Sequence, residues 1–139
     1  ALDVVSVEMV LELEEKNDYV YIASFGNNSK IMAWSPVSDK GFSLGHQKKK
    51  YFVENLYKKS SISVQYNPDL MYLNSEKLTN NLAVESWGTP STYPIAFGFY
   101  GNGAYRMKGK IYSIRIYNRA LTKNEINHNY EMDKKRFGI

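Results

Sequence analysis

The dominant period along this chain is two. Val5, Val7, Met9, Leu11 and Leu13 alternate with Val4, Ser6, Glu8, Val10, Glu12 and Glu14, which places one apolar face and one mostly polar face on a single strand. Glu is a good helix former, but the sustained strict alternation decides for a strand. Lys16-Asn17-Asp18 reads as a turn, Tyr19 to Phe25 as a second strand, Gly26-Asn27-Asn28-Ser29 as another turn, and Ile31 to Trp34 as a third strand closed by Ser35-Pro36. Phe42 to Leu44, Ile62 to Tyr66, Leu70 to Leu73, Leu82 to Val84 and Ile95 to Phe99 continue the series, each bounded by Gly, Pro, Asn or Ser. Short strands at this spacing predict an all-β, antiparallel two-sheet sandwich. Trp34, inside an apolar run, is assigned to the core.

Near the C-terminus the period changes. Ile111, Ile114 and Ile116 anchor one more strand, with β-branched side chains that suit a packed, pleated surface. Positions 111 and 114 differ by an odd number, so a regular strand cannot hold all three on one face. A β-bulge near Tyr112-Ser113 would restore Ile111 to the core side; burial on both faces is the alternative. Thr122 then fits a helix N-cap, Glu125 completes a capping box, and Leu121 with Ile126 forms a hydrophobic staple. The pattern predicts one short helix beginning at Lys123, with Ile126 and Tyr130 on the face that packs back and Phe137 to Ile139 docked.

The wording of this stretch, Gly-x-Ile-x-x-Ile-Arg-Ile-Tyr-Asn-Arg-Ala-Leu followed by Thr-x-x-Glu-Ile, resembles the end of laminin-G-like (concanavalin A-like lectin) jelly-roll domains. Asn129 to Phe137 looks like modules of bacterial surface proteins and phage virion proteins, Val7 to Leu11 like the family's early long strand, and Leu70 to Leu78 like its central hairpin. In that hairpin Ser75 replaces the Gly of the usual Asn-Gly turn, and Ser tolerates positive φ poorly. The resemblance implies a jelly roll with one short C-terminal helix, residues 1–139 forming a single laminin-G-like domain that is a fragment of a larger protein. It also implies a non-catalytic carbohydrate-binding or adhesion role in an extracellular, cell-surface or virion setting.

Composition agrees with one domain, since a chain of 139 residues buries about two-thirds of its unfolded surface. There are no cysteines, so disulfide frameworks, Cys-type zinc sites and thiol nucleophiles are excluded. No apolar run reaches the roughly 20 residues that span a bilayer, and membrane insertion is not expected. The net charge of +4 is lopsided: residues 105–139 hold nine Lys or Arg against three Asp or Glu. That excess would suit a polyanion. It is better accounted for if the first and last strands lie side by side, with Glu8, Glu12 and Glu14 facing Lys110 and Arg115 as exposed pairs of small energy. No recognition helix, zinc finger or stacking-sheet motif accompanies the charge, so nucleic acid is not an expected partner.

Catalytic patterns are missing from the sequence. His46 and His128 have no metal-spaced companion, Glu12 and Glu14 only loosely echo the acid clusters of jelly-roll glycanases, and Gly98 to Gly109 lies between strands, the wrong context for a phosphate loop. No catalytic residue or cofactor is therefore assigned. A structural calcium ion stays open without named ligands, since Asp39 and Asp69 are loop acids with no Asp-x-Asp repeat.

Binding is the class left. The chain holds twelve Tyr, six Phe and two Trp, and sugar rings stack on aromatic faces while polar groups bond their hydroxyls. Two loops set large rings in turn-forming sequence. The first carries Trp87 and Tyr93, the second Tyr100, Asn102, Tyr105 and Arg106. Flanking one strand, the loops emerge at its opposite ends, and the second ranks higher because Gly101 and Gly103 let backbone approach a ligand. The expected partners are a glycan or polysaccharide and neighbouring domains of the parent protein. A structural or oligomerisation domain using the same rings for protein contacts is the alternative reading.

Overall fold

The computed structural model describes residues 4–15, 19–26, 30–35, 41–44, 49–54, 56–66, 68–79, 81–82, 95–99 and 105–139. They form two units, each built on one antiparallel sheet. The first unit holds β2 (Val20–Ser24), β3 (Ile31–Trp34), β4 (Gly41–Leu44), β5 (Lys49–Phe52), β9 (Asn81–Leu82) and β10 (Ala96–Phe97), in the order β10-β2-β3-β4-β5-β9. The second holds β1 (Ser6–Leu13), β6 (Ser60–Gln65), β7 (Leu70–Leu73), β8 (Glu76–Lys77) and β11 (Gly109–Tyr117), in the order β11-β1-β6-β7-β8, with helix α1 (Lys123–Phe137). The fold class is thus the expected one, all-β and antiparallel with a single C-terminal helix. Strand β5 was not anticipated. The lysines at its start hide an alternation, continued past its end, in which Tyr51 and Val53 are buried while Phe52 and Glu54 are exposed.

In the second unit the first and last strands pair along their full length, as the charge pattern suggested. Glu8 lies opposite Arg115 and Glu12 opposite Lys110. The register then steps from Val10↔Ser113 to Leu11↔Ile111, leaving Tyr112 as the extra residue of a bulge. Ile111, Ile114 and Ile116 consequently stand opposite Leu11, Met9 and Val7, all on one face. They are less buried than those partners because β11 is the sheet's edge.

One expectation is corrected. The polar face of β1 is not solvated: Ser6 and Glu8 are at most 3% exposed. This face carries the polar groups that meet α1 and the segment leading into it. Ser6 Oγ donates to the Arg119 carbonyl at 2.7 Å, Gln65 Nε2 to that of Leu121 at 2.9 Å, and Asn129 Nδ2 to Glu8 Oε1 at 2.7 Å. Arg115 grips Asp133 of the helix with two bonds of 2.9 and 2.6 Å while reaching Glu8 Oε1 at 3.3 Å. Hydrogen bonding to Asp133 raises the guanidinium's pKa further above its already high value, against the opposing cost of burial. The Glu8–Arg115 pair is therefore part of a buried network rather than an exposed ladder pair.

The helix starts where the capping box predicts. Glu125 N donates to Thr122 Oγ1 at 3.2 Å, and Thr122 N donates to Glu125 Oε1 at 3.1 Å. Leu121 and Ile126 share a cluster with Tyr72, and Gly138 ends the helix at φ +67°. Phe137 docks, its ring 6.0 Å from that of Tyr112. In the Leu70–Leu78 hairpin, Asn74 and Ser75 both adopt positive φ, at 48° and 69°, as a primed turn requires. The strained serine is held by its hydroxyl bond to Asn127 Oδ1 at 2.8 Å and by Lys123 Nζ on its carbonyl.

Two expected outcomes follow from the cap. Thr122→Ala should lower stability by about 1 kcal/mol in chemical denaturation, with ligand binding untouched; a neutral result would place the true cap elsewhere. Glu125 should also make stability pH-dependent. Arg119, first, and then the Thr122 N–H lower its pKa from 4.5 to about 2. A carboxylate depressed in the folded state contributes stability that is complete above its unfolded value and is lost as pH falls through about 2. The stability difference between wild type and Glu125→Gln should therefore shrink over that interval of pH. A difference independent of pH across it would show that the pairing does not act in solution.

Candidate functional site

Four of the six residues expected to bind a ligand, Trp87, Tyr93, Tyr100 and Asn102, lie outside the described residues. Tyr105 and Arg106 are described, and both belong to the first unit. They sit next to β2. The Tyr105 carbonyl accepts the Tyr21 N–H at 3.0 Å, and Arg106 makes a parallel bridge with Tyr21. The Met107 N–H then bonds the Gly98 carbonyl at 2.7 Å, and the Gly98 N–H bonds the Ile22 carbonyl at 2.8 Å, so this segment is tied to β2 and to the residues after β10.

The register of this sheet separates two faces. Trp34 lies opposite Val20 and Phe42, and Phe42 opposite Tyr51; this face holds large side chains that are at most 3% exposed. On the other face, Tyr21 lies opposite Ala33, Ala33 opposite Ser43, and Ser43 opposite Lys50, a straight row across four strands. The ring of Tyr105 packs at one end of that row, 5.7 Å from Tyr21 and 6.1 Å from Tyr19, while Tyr19 and Tyr21 are 5.5 Å apart edge to face. Tyr19 and Tyr21 share the face because they are two residues apart, and this spacing was the available sequence signal for a platform that motif reading missed.

Tyr105 is the open member of the cluster. It is 52% exposed and adopts a φ of +52°, whereas Tyr21 is only 8% exposed. A tyrosine in the left-handed region costs backbone energy, and here that conformation presents the ring beside two others. The Arg106 guanidinium carbon stands 5.6 Å from the Phe99 ring centroid, a cation held over an aromatic face. Burial raises the Tyr19 phenol above its ordinary pKa, opposed by hydrogen bonds with Ser43 and Tyr21. Tyr19 therefore remains a neutral hydroxyl that can donate and accept. Rings, neutral hydroxyls and a guanidinium together suit a ligand with apolar faces and oxygen acceptors.

Other candidate chemistry is less organised. Glu12 accepts the Tyr112 hydroxyl at 2.7 Å, Glu14 is exposed, and His128 is exposed on the helix. No group of three or more His, Asp or Glu residues among the described residues is arranged to hold a metal ion. Among them, too, no helix is long and apolar enough to cross a membrane.

No family model and no curated protein matches the chain. Solved structures do. The CBM40 domain of the Ruminococcus gnavus IT-sialidase, bound to α2,3-sialyllactose, superposes with a TM-score of 0.62 at 15% identity, covering 94% of this chain and 84% of that one. The same domain bound to α2,6-sialyllactose gives 0.59 at 15% identity, over 92% of this chain and 83% of the other. A heptameric SAP-like pentraxin from Limulus polyphemus gives 0.58 at 11% identity, over 91% and 69%. At these identities the likeness is one of fold. The shared fold is the antiparallel β jelly roll, which is the class the sequence predicts.

Proposed function

We propose that this chain is a non-catalytic carbohydrate-binding module whose ligand stacks on Tyr105. The observation that carries the reading is the exposed Tyr105 ring, held at positive φ against Tyr19 and Tyr21 with Arg106 beside it. Core packing does not account for a ring this exposed in a strained backbone. Fold likeness to a domain solved with sialyllactose supports the same class of ligand. Tyr100 and Asn102, on the loop that carries Tyr105, belong to the proposal as further contacts, and Trp87 and Tyr93 would join them only if their loop folds back along the sheet. A laminin-G-like adhesion module, residues 1–139 of a larger secreted, cell-surface or phage virion protein, is the setting that the C-terminal wording favours.

The test is a glycan array that includes 3′- and 6′-sialyllactose, followed by titration of Tyr105→Ala. A stacking ring is worth about 1 kcal/mol, so affinity should fall roughly fivefold with little change in thermal stability. If Tyr105→Ala loses stability and keeps full affinity, the ligand is bound elsewhere. Light scattering on the same sample separates the alternative: a stable oligomer without saturable sugar binding would favour the structural, protein-contact role.

A further inference from the structure

The face that carries Tyr21 does not end at the tyrosine cluster. At the far end of its row stand Lys50 and, two residues along β5, Phe52. Phe52 is 52% exposed although it lies within a strand, and its cross-strand partner is Gly41, which offers no side chain to cover it. The space over Gly41 is taken by the Lys50 chain: a Cβ at position 41 would overlap its methylenes. The middle of the row, Ala33 and Ser43, is buried, with Tyr19 packed against the Ala33 cluster and hydrogen-bonded to Ser43. A ring and a cation therefore stand at one end, Tyr21, Tyr105 and a guanidinium at the other, and Tyr19 reaches over the middle between them.

Charge on the unit is also one-sided. Its described acidic side chains are Glu15 and Glu54, against Lys30, Lys50, Arg106 and Lys108. Three strand spacings separate Tyr21 from Lys50, roughly 14 Å at about 4.8 Å each. That span exceeds one sugar ring and suits a chain lying across the strands.

We infer that Phe52 and Lys50 form a second subsite, which extends the Tyr105 site to a longer, carboxylate-bearing glycan. A distal sugar would stack on Phe52 while the Lys50 ammonium, two residues away on the same face, meets its carboxylate. This inference rests on the carbohydrate-binding reading, and the two fail differently.

Wild type, Phe52→Ala, Lys50→Gln and Tyr105→Ala are titrated with a short probe, 3′-sialyllactose, and a long one, polysialic acid. The expected result is that Phe52→Ala and Lys50→Gln each weaken polysialic acid binding by about fivefold and leave 3′-sialyllactose unchanged, while Tyr105→Ala weakens both. Thermal melting confirms that each variant is folded. Equal affinities of wild type and the folded Phe52→Ala and Lys50→Gln variants for polysialic acid, with Tyr105→Ala still weakened, would overturn the second subsite alone. No binding of either probe by wild type would overturn it together with the sialylated-glycan reading. A change in oligomeric state on Phe52→Ala, without loss of long-probe affinity, would assign the ring to a protein contact instead.

Discussion

Arg115→Ala is expected to lower stability by about 3–5 kcal/mol, the cost of stripping the cation from a buried ion network. The Glu8 side chain is 3% exposed and that of Asp133 5%, while Arg115 itself is 30% exposed. In the variant Asp133 loses both bonds that Arg115 donates, and Glu8 keeps the Asn129 amide at 2.7 Å and the Tyr117 hydroxyl at 3.4 Å. Two carboxylates would then face each other in a poorly solvated interface between sheet and helix without their counter-ion. Replacing all three members together, Glu8→Leu, Arg115→Met and Asp133→Leu, should cost far less, because it removes the charges rather than orphaning them. Urea denaturation of both variants checks the pair of outcomes. A loss below about 1 kcal/mol for Arg115→Ala would mean that water reaches both acids and that the network is a surface one.

Trp34→Ala should cost a similar amount, about 3–5 kcal/mol, for a different reason. Trp34 is 2% exposed, flanked on its ladder by Val20 and Phe42, and its indole N–H donates to the Val53 carbonyl at 3.3 Å in a buried setting. Truncation removes the largest fully buried side chain among the described residues and leaves both a cavity and an unpaired carbonyl. Trp34→Phe separates the two terms: most of the packing survives, and the residual loss of about 1–2 kcal/mol reports the orphaned carbonyl. Chemical denaturation gives both values. A loss for Trp34→Phe as large as that for Trp34→Ala would show that the hydrogen bond, not the buried area, dominates.

The two positions differ in how legible they are. Trp34 is assigned to the core from its apolar neighbours alone, and the structure agrees. Arg115 reads, in sequence, as one half of a cross-strand pair with Glu8 whose side chain looks outward or toward the C-terminal helix. The pairing is right and the helix is the side taken, but the pair is not an exposed one, because Asp133 and Asn129 of α1 close over Glu8 and Arg115. Sequence alternation says which residues share a face; it does not say what will cover that face.

The same division holds at the binding site. Tyr105 and Arg106 stand out because rings in turn-forming sequence lack a core explanation. Tyr19 and Tyr21, the rings that support Tyr105, look like ordinary strand residues until the Tyr21 N–H is bonded to the Tyr105 carbonyl at 3.0 Å. Phe52 is hidden further, in a lysine-rich strand with no motif, and its exposure depends on a glycine eleven positions earlier being its cross-strand partner.

By itself, the sequence determined what depends on neighbours a few residues apart. The period-two strands, the bulge at Tyr112, the capping box at Thr122 and Glu125 and the start of α1 at Lys123 are all written in local spacing, because sterics and short-range hydrogen bonds set them. Tertiary structure alone decided what depends on register between distant strands. It buried Glu8 beneath the helix, gathered Tyr19, Tyr21 and Tyr105 into one platform, and set Phe52 opposite Gly41. Contacts of that kind follow from how the sheets are ordered, and no local pattern encodes the partner that a side chain will meet across a ladder.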